Sequence, residues 1–522
     1  MRTPQTRMTL ALALALGTGT LAALAVGPVA KDRPAMERGV ATSAMSRVAL
    51  DVDRELEVDL KRPMRLQQPN AIRPGDLDHP VLAVARDGRI RFDVNEVLAL
   101  EVGDRVDLAV RRGTAPHRFQ VKRARRTTGD GRWWQLESMD EELVAATLAH
   151  RDGMVAGWMQ VPGENGGMEW TLVPIGRGLV APEAKAADLP GCGGAIVPDV
   201  GPVDPMGPMS PFNGDGVAGD DNDVEECAGC AATVADIAFF YTSLCLEKEV
   251  ERIEEQGGDP KDAPSAIAAV CELESANCSI TMANSEVPFG TRPVYVGLVE
   301  WDEKSDSLLG PFTNPSDGII DEVHEIRDAV GADACSLVSH TDGEDPAVGY
   351  CGLAYVVNGN SAEFAFNSLV RGCMGYSLFA HEFGHNIGLL HAVGDSATGD
   401  GPPCDPWEPT WVGCCKPGES DETDTGRRYQ HGWRFVGSTT FCFRTVMAYS
   451  PGNRALHYSN PEVPYDGEPT GSPEDSSDGR AADNAGWATL TMPGTAAYRC
   501  AVPEQTGTDG RLIAGGLQAY DF

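Results

Sequence analysis

One short stretch of the chain holds three histidines and a glutamate at the spacing of a metal site. On a helix, residues four apart share a face, so His381 and His385 can present two imidazole nitrogens to one ion. Glu382 would stand beside a metal-bound water as general base. Gly388 lets the backbone leave the helix through a conformation that other residues resist, so that His391 can supply a third nitrogen. The pattern predicts one catalytic Zn²⁺ ion with an open fourth position.

A helix must position these side chains, and the apolar residues agree with one. They recur at spacings of four, four and three, which builds a core stripe roughly opposite the first two histidines: Phe379, Phe383, Ile387 and Leu390. The alternatives are a chance match, histidines that face solvent, and a structural zinc site. Structural sites usually close the fourth position with Cys or His, whereas this motif supplies three ligands and a base.

A second signal follows in the segment 445–450, Thr-Val-Met-Ala-Tyr-Ser. Here the chain resembles the metzincins, zinc endopeptidases with a tight methionine turn below the metal. The resemblance implies that Met447 forms a hydrophobic floor under the imidazoles without binding zinc. Tyr449 stands where some metzincins carry a tyrosine, and its phenol could donate to the developing oxyanion. The alternative for both is a structural core residue.

Within the metzincins, the chain resembles bacterial reprolysin-like proteins and peptidyl-Asp metalloendopeptidases over about residues 231–500. The likeness rests on four features: residues 331–338, the pair of positions Cys351 and Cys373, residues 445–449, and residues 458–461 followed by 483–485. Two features depart from the pattern. Ala392 stands where reprolysins usually place Asp, and the insertion 394–432 carries three cysteines of its own.

The order of elements predicts the fold of this region. Strand-like segments at 236–242, 293–299 and 334–339 alternate with helix-like segments at 264–279 and 319–330. Such alternation favours a mixed, mostly parallel twisted sheet in an α/β (α+β) domain. The segment 349–357 would then be an edge strand that binds an extended peptide through main-chain hydrogen bonds, or else a plain structural strand.

Residues 1–25 read as a secretory signal peptide, with Arg2 and Arg7 before a mainly apolar run. An uncleaved membrane anchor is the alternative. We expect a protein secreted to the cell exterior, with periplasmic transit as a possible stage, and no membrane association after cleavage. All 14 cysteines lie from Cys192 onward, and in an oxidising compartment most would form disulfides.

Charge divides the chain near residue 200. Residues 1–200 hold 26 basic and 26 acidic residues, whereas 201–522 hold 16 and 51, which accounts for the net charge of -35. The acidic half would repel phosphate, so nucleic acid is not an expected partner.

Residues 31–200 are predicted to form a mostly β propeptide domain that inhibits the protease until it is cut. Strand-like phrases occur at 90–94, 105–110 and 170–174. Cys192 lies in a Pro/Gly-rich setting and, as a thiolate, could fill the fourth zinc position in the zymogen. An ordinary disulfide is the alternative, because setting Cys192 aside leaves an odd number of cysteines.

Residues 201–230 form an acidic, Pro/Gly-rich linker, and 501–522 a tail. The linker aspartates leave Ca²⁺ conceivable, but their spacing does not match an EF-hand loop, so an exposed connector is favoured. Cys227 and Cys230 have the CxxC form without a second such pair, which favours a structural disulfide over a redox or zinc role.

The predicted function is a secreted zinc endopeptidase, made as a zymogen, that hydrolyses protein and peptide substrates. The rivals are a non-proteolytic zinc amidase or hydrolase and an inactive extracellular binding protein on the same scaffold. Cleavage at aspartate would need local positive charge, which Arg444 or Arg454 could supply. Because the catalytic region is acidic overall, a broader specificity is expected.

Overall fold

The computed structural model of the protein describes most of residues 81–185, 195–196, 233–340, 350–395, 430–473 and 481–502, together with 505–506 and 512–513. The predicted signal peptide, Cys192 and the linker 201–230 lie outside these residues, as does most of the insertion. Among the described residues, no helix is long and apolar enough to cross a membrane.

The N-terminal part of the described chain is a closed barrel. Its strands are β1 (Val81–Val84), β2 (Ile90–Arg91), β3 (Arg105–Ala109), β4 (His117–Arg126), β5 (Arg132–Ser138), β6 (Ala145–Arg151), β7 (Met154–Val161), β8 (Met168–Gly176) and β9 (Leu179–Lys185). They close in the order β1-β2-β9-β8-β7-β6-β5-β4-β3. Closure leaves no strand edge unpaired, which removes a common site of aggregation.

The predicted strand over 90–94 is wrong in its second half. The strand ends at Arg91, and helix α1 (Val94–Leu98) begins three residues later. Asp93 explains the change, because its carboxylate accepts a 2.8 Å hydrogen bond from the Asn95 amide and so caps the helix.

Residues 233–502, here called the catalytic region after the function predicted for them, supply five strands of a six-stranded mixed sheet. Its strands are β10 (Ala195–Ile196), β11 (Val234–Thr242), β12 (Gly290–Val299), β13 (Ala334–Ser339), β14 (Gly352–Tyr355) and β15 (Phe366–Val370). The order is β10-β14-β15-β13-β11-β12, and only β14 pairs antiparallel, with β15. The mixed α/β architecture predicted for this region is confirmed.

Six helices of the described chain lie in this region. They are α2 (Ser243–Glu255), α3 (Ala263–Asn284), α4 (Leu309–Thr313), α5 (Glu322–Val330), α6 (Leu378–Asn386) and α7 (Asn484–Thr495). The longest, α3, has 18 of its 22 residues buried. It packs against β12 and α6 within the catalytic region and against β5 to β8 of the barrel.

Small strands complete the described chain. A three-stranded sheet is formed by β16 (Arg434–Val436), β17 (Cys442–Arg444) and β18 (Asn453–Arg454), and two ribbons by β19 (Pro464–Tyr465) with β20 (Glu468–Pro469) and β21 (Gln505–Thr506) with β22 (Leu512–Ile513). Short one-turn 3₁₀ segments, including Arg371–Cys373, join several of the larger elements.

The described cysteines do not follow the expectation that most form disulfides. Four are buried free thiols: Cys245, Cys271, Cys278 and Cys335. Cys351 and Cys373 form a disulfide with a Cα–Cα distance of 5.6 Å, which ties the start of β14 to the segment before α6. Cys442 and Cys500 are also disulfide-bonded. The four thiols are buried in the catalytic region, where a small apolar side chain is useful without a partner.

Candidate metal centre

Helix α6 brings three of the predicted site residues together. His381 and His385 lie one turn apart on this helix, and Glu382 lies beside them with no solvent exposure. After the helix, Gly388 adopts a φ of +89°, in the left-handed region that favours glycine. The chain turns there, and His391 returns to face the helix.

The imidazole nitrogens converge on one point. Nε2 of His391 lies 3.1 Å from Nε2 of His381 and 2.9 Å from Nε2 of His385. Potential metal sites are groups of three or more His, Cys, Asp or Glu side chains whose ligand atoms lie close together. In the part of the chain that the structure describes, these three histidines form such a group. The donor set fits zinc, which accepts three imidazoles and keeps a fourth position open in catalytic sites.

Hydrogen bonds at the other ring nitrogens set the tautomers. Nδ1 of His381 lies 2.8 Å from the carbonyl oxygen of Val446, and Nδ1 of His385 lies 2.8 Å from that of Leu389. Because a carbonyl only accepts, each Nδ1 carries the proton and each Nε2 presents a lone pair to the centre.

Burial keeps the three rings neutral. It lowers the pKa of His385 to about 4, and burial followed by the neighbouring His385 lowers the pKa of His381 and His391 well below the usual value. A neutral imidazole is the form that binds a metal, so the site is ready for an ion at neutral pH.

Met447 lies directly under helix α6 and is fully buried. A Cβ added at Gly384, in the turn between Glu382 and His385, would lie 2.6 Å from the Met447 sulfur. The helix can approach the methionine this closely because residue 384 has no side chain. The geometry agrees with a floor beneath the imidazoles.

Tyr449 also reaches the centre. Its hydroxyl lies 3.1 Å from Nε2 of His391, and its ring stacks near that of His381 with centroids 5.8 Å apart. A phenol at this position can donate a hydrogen bond to an oxygen that develops negative charge beside the metal.

Sequence reasoning missed a buried ion pair that holds Tyr449. Asp395 and Arg434 pair with no side-chain exposure, and Oδ2 of Asp395 accepts a 2.9 Å hydrogen bond from the Tyr449 amide. Arg434 donates from Nε to the Tyr449 carbonyl at 3.0 Å. Burial raises the pKa of Asp395, while Arg434 opposes the shift. Only an acidic residue shortly after His391 and an arginine before the methionine turn could have hinted at this pair.

A second missed residue is Glu274 on α3. Its carboxylate is fully buried and accepts hydrogen bonds from the backbone amides of Gly375 and Phe379, the latter at 2.9 Å. Helix α6 has no capping hydrogen bond from Ser377. Glu274 therefore satisfies the amide donors at the start of the metal-binding helix from a different element. In the sequence, Glu274 is one residue of a mostly apolar helical segment, and nothing in that pattern predicts its contact with another helix.

Strand β14, predicted to be the edge strand, borders the centre. A Cβ added at Gly352 would lie 2.6 Å from Cδ of Glu382, so the carboxylate rests against the strand backbone. The strand already has a partner, because β10 pairs with it in parallel, Ala195 opposite Ala354 and Ile196 opposite Tyr355. A segment from before the catalytic region thus lies on the strand expected to bind substrate.

The arginines considered for aspartate recognition have different surroundings. Arg444 is buried, and its guanidinium donates to the carbonyl oxygens of Gly452 at 3.1 Å and Ala448 at 2.9 Å. Burial, followed by Arg454, lowers the pKa of Arg444 to about 9. It therefore braces the methionine turn, whereas Arg454 is half-buried.

Comparison with known proteins finds relatives of the segment that holds this centre. The family described as Metallo-peptidase family M12B Reprolysin-like matches residues 279–392, which include the three histidines and Glu382. The region around the metal centre is similar to the reprolysin-like metallopeptidases. The resemblance drawn from the motifs is thereby confirmed, although the match covers a minority of the chain.

Two curated relatives agree with the reprolysin-like assignment. A peptidyl-Asp metalloendopeptidase of Stenotrophomonas maltophilia is 32% identical over 31% of this chain and 32% of its own length. One of Xanthomonas campestris is 31% identical over 39% of this chain and 41% of its own length. The matches thus span well under half of these relatives. Metalloproteinase-II from Bacteroides fragilis superposes over 62% of this chain and 91% of its own with 11% identity and a TM-score of 0.35, too loosely to establish a shared fold.

Proposed function

We propose that this chain is the exported zymogen of a zinc endopeptidase. The proposal rests on the convergence of three imidazole nitrogens beside the buried Glu382. Nε2 of His391 lies 3.1 Å from Nε2 of His381 and 2.9 Å from Nε2 of His385. The ligands we propose are His381, His385 and His391. Bound zinc would polarise the scissile carbonyl and lower the pKa of a water molecule.

Protein side chains would carry out the remaining steps. Glu382 would take the proton of the attacking water and deliver it to the leaving amine. Tyr449 would donate a hydrogen bond to the oxygen of the tetrahedral intermediate. The backbone of β14 would hold the substrate as an added strand, which needs little from the substrate's own sequence.

The pairing of β10 with β14 supports a self-inhibited precursor. A substrate strand needs the same main-chain groups of β14 that β10 already engages. Cys192 lies three residues before the start of β10 in the sequence, and as a thiolate it would take the fourth zinc position in the zymogen. Removal of this segment would free both the strand and the metal.

We propose a broad specificity. The relatives carry a name that refers to aspartate, but Arg444 already donates to two backbone carbonyls. Mapping of cleavage sites on a peptide library tests this choice. A strict cut at aspartate would favour Arg454 as the recognition residue and contradict the broad assignment.

The decisive experiment compares the mature wild-type protein with Glu382→Gln. Both should bind one zinc ion per chain, and only the wild type should cleave casein, with chelator abolishing its activity. Equal casein cleavage by the two proteins would contradict the assignment of Glu382. A zinc-loaded wild type that cleaves no protein would favour a non-proteolytic hydrolase, and a zinc-free protein would favour a binding role.

A further inference from the structure

Three neighbouring barrel strands are apolar on both faces. On β5, β6 and β7, residues such as Trp134, Leu148 and Met159 fill the barrel interior. Their neighbours on the outer face are also apolar and buried: Trp133, Ala149, Met154, Ala156 and Trp158. A barrel that stood alone in water would carry polar residues on that outer face. The apolar outer face of β5, β6 and β7 therefore needs another element packed against it.

The covering element is helix α3 of the catalytic region. The outer barrel residues share one core cluster with apolar residues of α3, among them Ile267, Leu273 and Ala276. A helix at a protein surface normally exposes one polar face, whereas α3 is buried along nearly its whole length. The barrel and the sheet cover it from two sides.

Polar contacts fix the register of this interface. Glu272 on α3 is fully buried and pairs with Arg151 of the barrel at 2.8 Å, while Thr127 donates to its other oxygen at 2.7 Å. Arg123 donates to Oδ1 of Asn284 at 2.7 Å. Each of these bonds joins a barrel strand or turn to α3.

Further bonds reach other elements of the catalytic region. Arg252 on α2 donates to the Pro174 carbonyl of β8 at 2.7 Å. Asn453 exchanges two 3.0 Å bonds with the backbone of Gly163 in the β7–β8 turn. The docking is thus spread over three separate segments and does not depend on the chain connection.

The strand that lies in the cleft is a different part of the molecule. The barrel ends at Lys185, and β10 begins ten residues later at Ala195, with the nine residues 186–194 between them. Docking on α3 and occupation of β14 are therefore separable functions. A cut in the connecting chain can release β10 without disturbing any of the contacts on α3.

We propose that the barrel remains bound to the catalytic unit after maturation, as a non-covalent subunit docked on α3, and that only the segment containing β10 leaves the cleft. This inference rests on the proposed function, since a maturation cut is what makes the barrel a separate chain. The partner of the α3 face is the protein's own N-terminal barrel.

The experiment uses the full chain with a recognition site for a specific protease inserted in 205–215 or, separately, in 187–190. Both forms carry Glu382→Gln, so that self-digestion cannot remove the barrel. After cutting, the two fragments should co-elute 1:1 in size exclusion at about 1 µM. Elution as two separate species at that concentration would overturn the proposal.

Variants connect co-elution to the interface described. Arg151→Ala should raise the dissociation constant of the cut complex about tenfold or more, because it leaves Glu272 without its charged partner. Arg123→Ala, at a half-buried position, gives a second test if Arg151→Ala fails to fold. Arg118→Ala is the matched control, because the Arg118 guanidinium pairs with Asp140 of the barrel itself at an exposed position. An equal effect of all three changes would contradict the interface.

Two readouts keep this inference apart from the proposed function. Casein cleavage by the same cut proteins with Glu382 restored tests the peptidase, whereas co-elution needs no activity. Fragments that stay together without cleaving casein support the docking and contradict the peptidase. Fragments that separate and still cleave casein support the peptidase and contradict the docking.

Discussion

The carboxylate of Glu382 rests against the backbone of Gly352, so the proposed general base touches the strand proposed to bind substrate. An added Cβ at residue 352 would lie 2.6 Å from Cδ of Glu382. Real Cβ atoms do not approach other atoms this closely, and one of the two groups must move. The position of the base therefore depends on the absence of a side chain on β14.

We expect Gly352→Ala to lower kcat by about ten- to a hundredfold, because a displacement of about 1 Å in a catalytic group has effects of this size. Zinc content should stay at the wild-type value, since the histidines are untouched. Steady-state kinetics with metal analysis tests this.

Gly372→Ala is the matched control for that substitution. A Cβ at Gly372 would meet no atom within 4 Å, so its kcat should equal that of the wild type. Equal rates for the two variants would show that Gly352 does not position Glu382.

The buried Asp395–Arg434 pair should dominate the stability of the methionine turn. Asp395→Asn leaves Arg434 charged and buried, which should lower the free energy of unfolding by about 3–5 kcal/mol. Because Asp395 and Arg434 hold the backbone of Tyr449, kcat should fall as well. Urea denaturation and casein kinetics measure the two effects.

Asp140→Asn provides the comparison on the surface. Asp140 pairs with Arg118, and both side chains are substantially exposed. Solvent screening limits such pairs to about 1 kcal/mol or less. If both substitutions changed stability equally, the importance assigned to burial at Asp395 would be wrong.

Glu274 and Glu272 lie two residues apart on α3 and are both fully buried. We expect Glu274 to support the metal-binding helix α6 and Glu272 to support the docking of the barrel. Glu274→Gln places an amide N–H₂ against one of two backbone N–H donors at the start of α6. We expect zinc affinity to fall about tenfold, as for other residues that orient ligands indirectly. Chelator competition gives the affinity.

Glu272→Gln is the control for that experiment. It should weaken barrel docking, because the Arg151 bond loses its charge, and leave zinc affinity unchanged within about twofold. Loss of zinc affinity in Glu272→Gln to the same degree would mean that α3 as a whole, and not Glu274, supports the metal-binding helix.

His457 should make the fold sensitive to acid. Burial, followed by Lys122 and Arg123, lowers its pKa to about 3. The unfolded chain binds a proton below about pH 6.5 while the folded chain does not, so stability present above pH 6.5 is lost as the pH falls toward 3. The slope from this residue is at most about 1.4 kcal/mol per pH unit.

His457→Gln removes this titration. The difference in unfolding free energy between wild type and variant should therefore change across pH 6.5 to 3 in favour of the variant. Parallel pH profiles for the two proteins would contradict the assignment. Chemical denaturation at several pH values gives the comparison.

Local patterns were sufficient to predict much of the centre. The spacing of His381, Glu382 and His385 follows from the period of a helix, and the need for Gly388 follows from the backbone conformation of a turn. The strand at 334–339 is a short apolar run between polar boundaries, and the structure has a strand over the same residues. These features depend on neighbours in sequence, which is why the residues alone determined them.

Features that depend on distant contacts required the tertiary structure. Glu274 and Asp395 act on backbone groups far away in sequence, and no local period marks them. The residue pattern of β5 to β7 indicates strands, but periodicity does not reveal which element covers their apolar outer face. Packing between elements decides which carboxylates are buried and which apolar faces meet. The same packing sets the positions of the metal-binding helix and of the barrel.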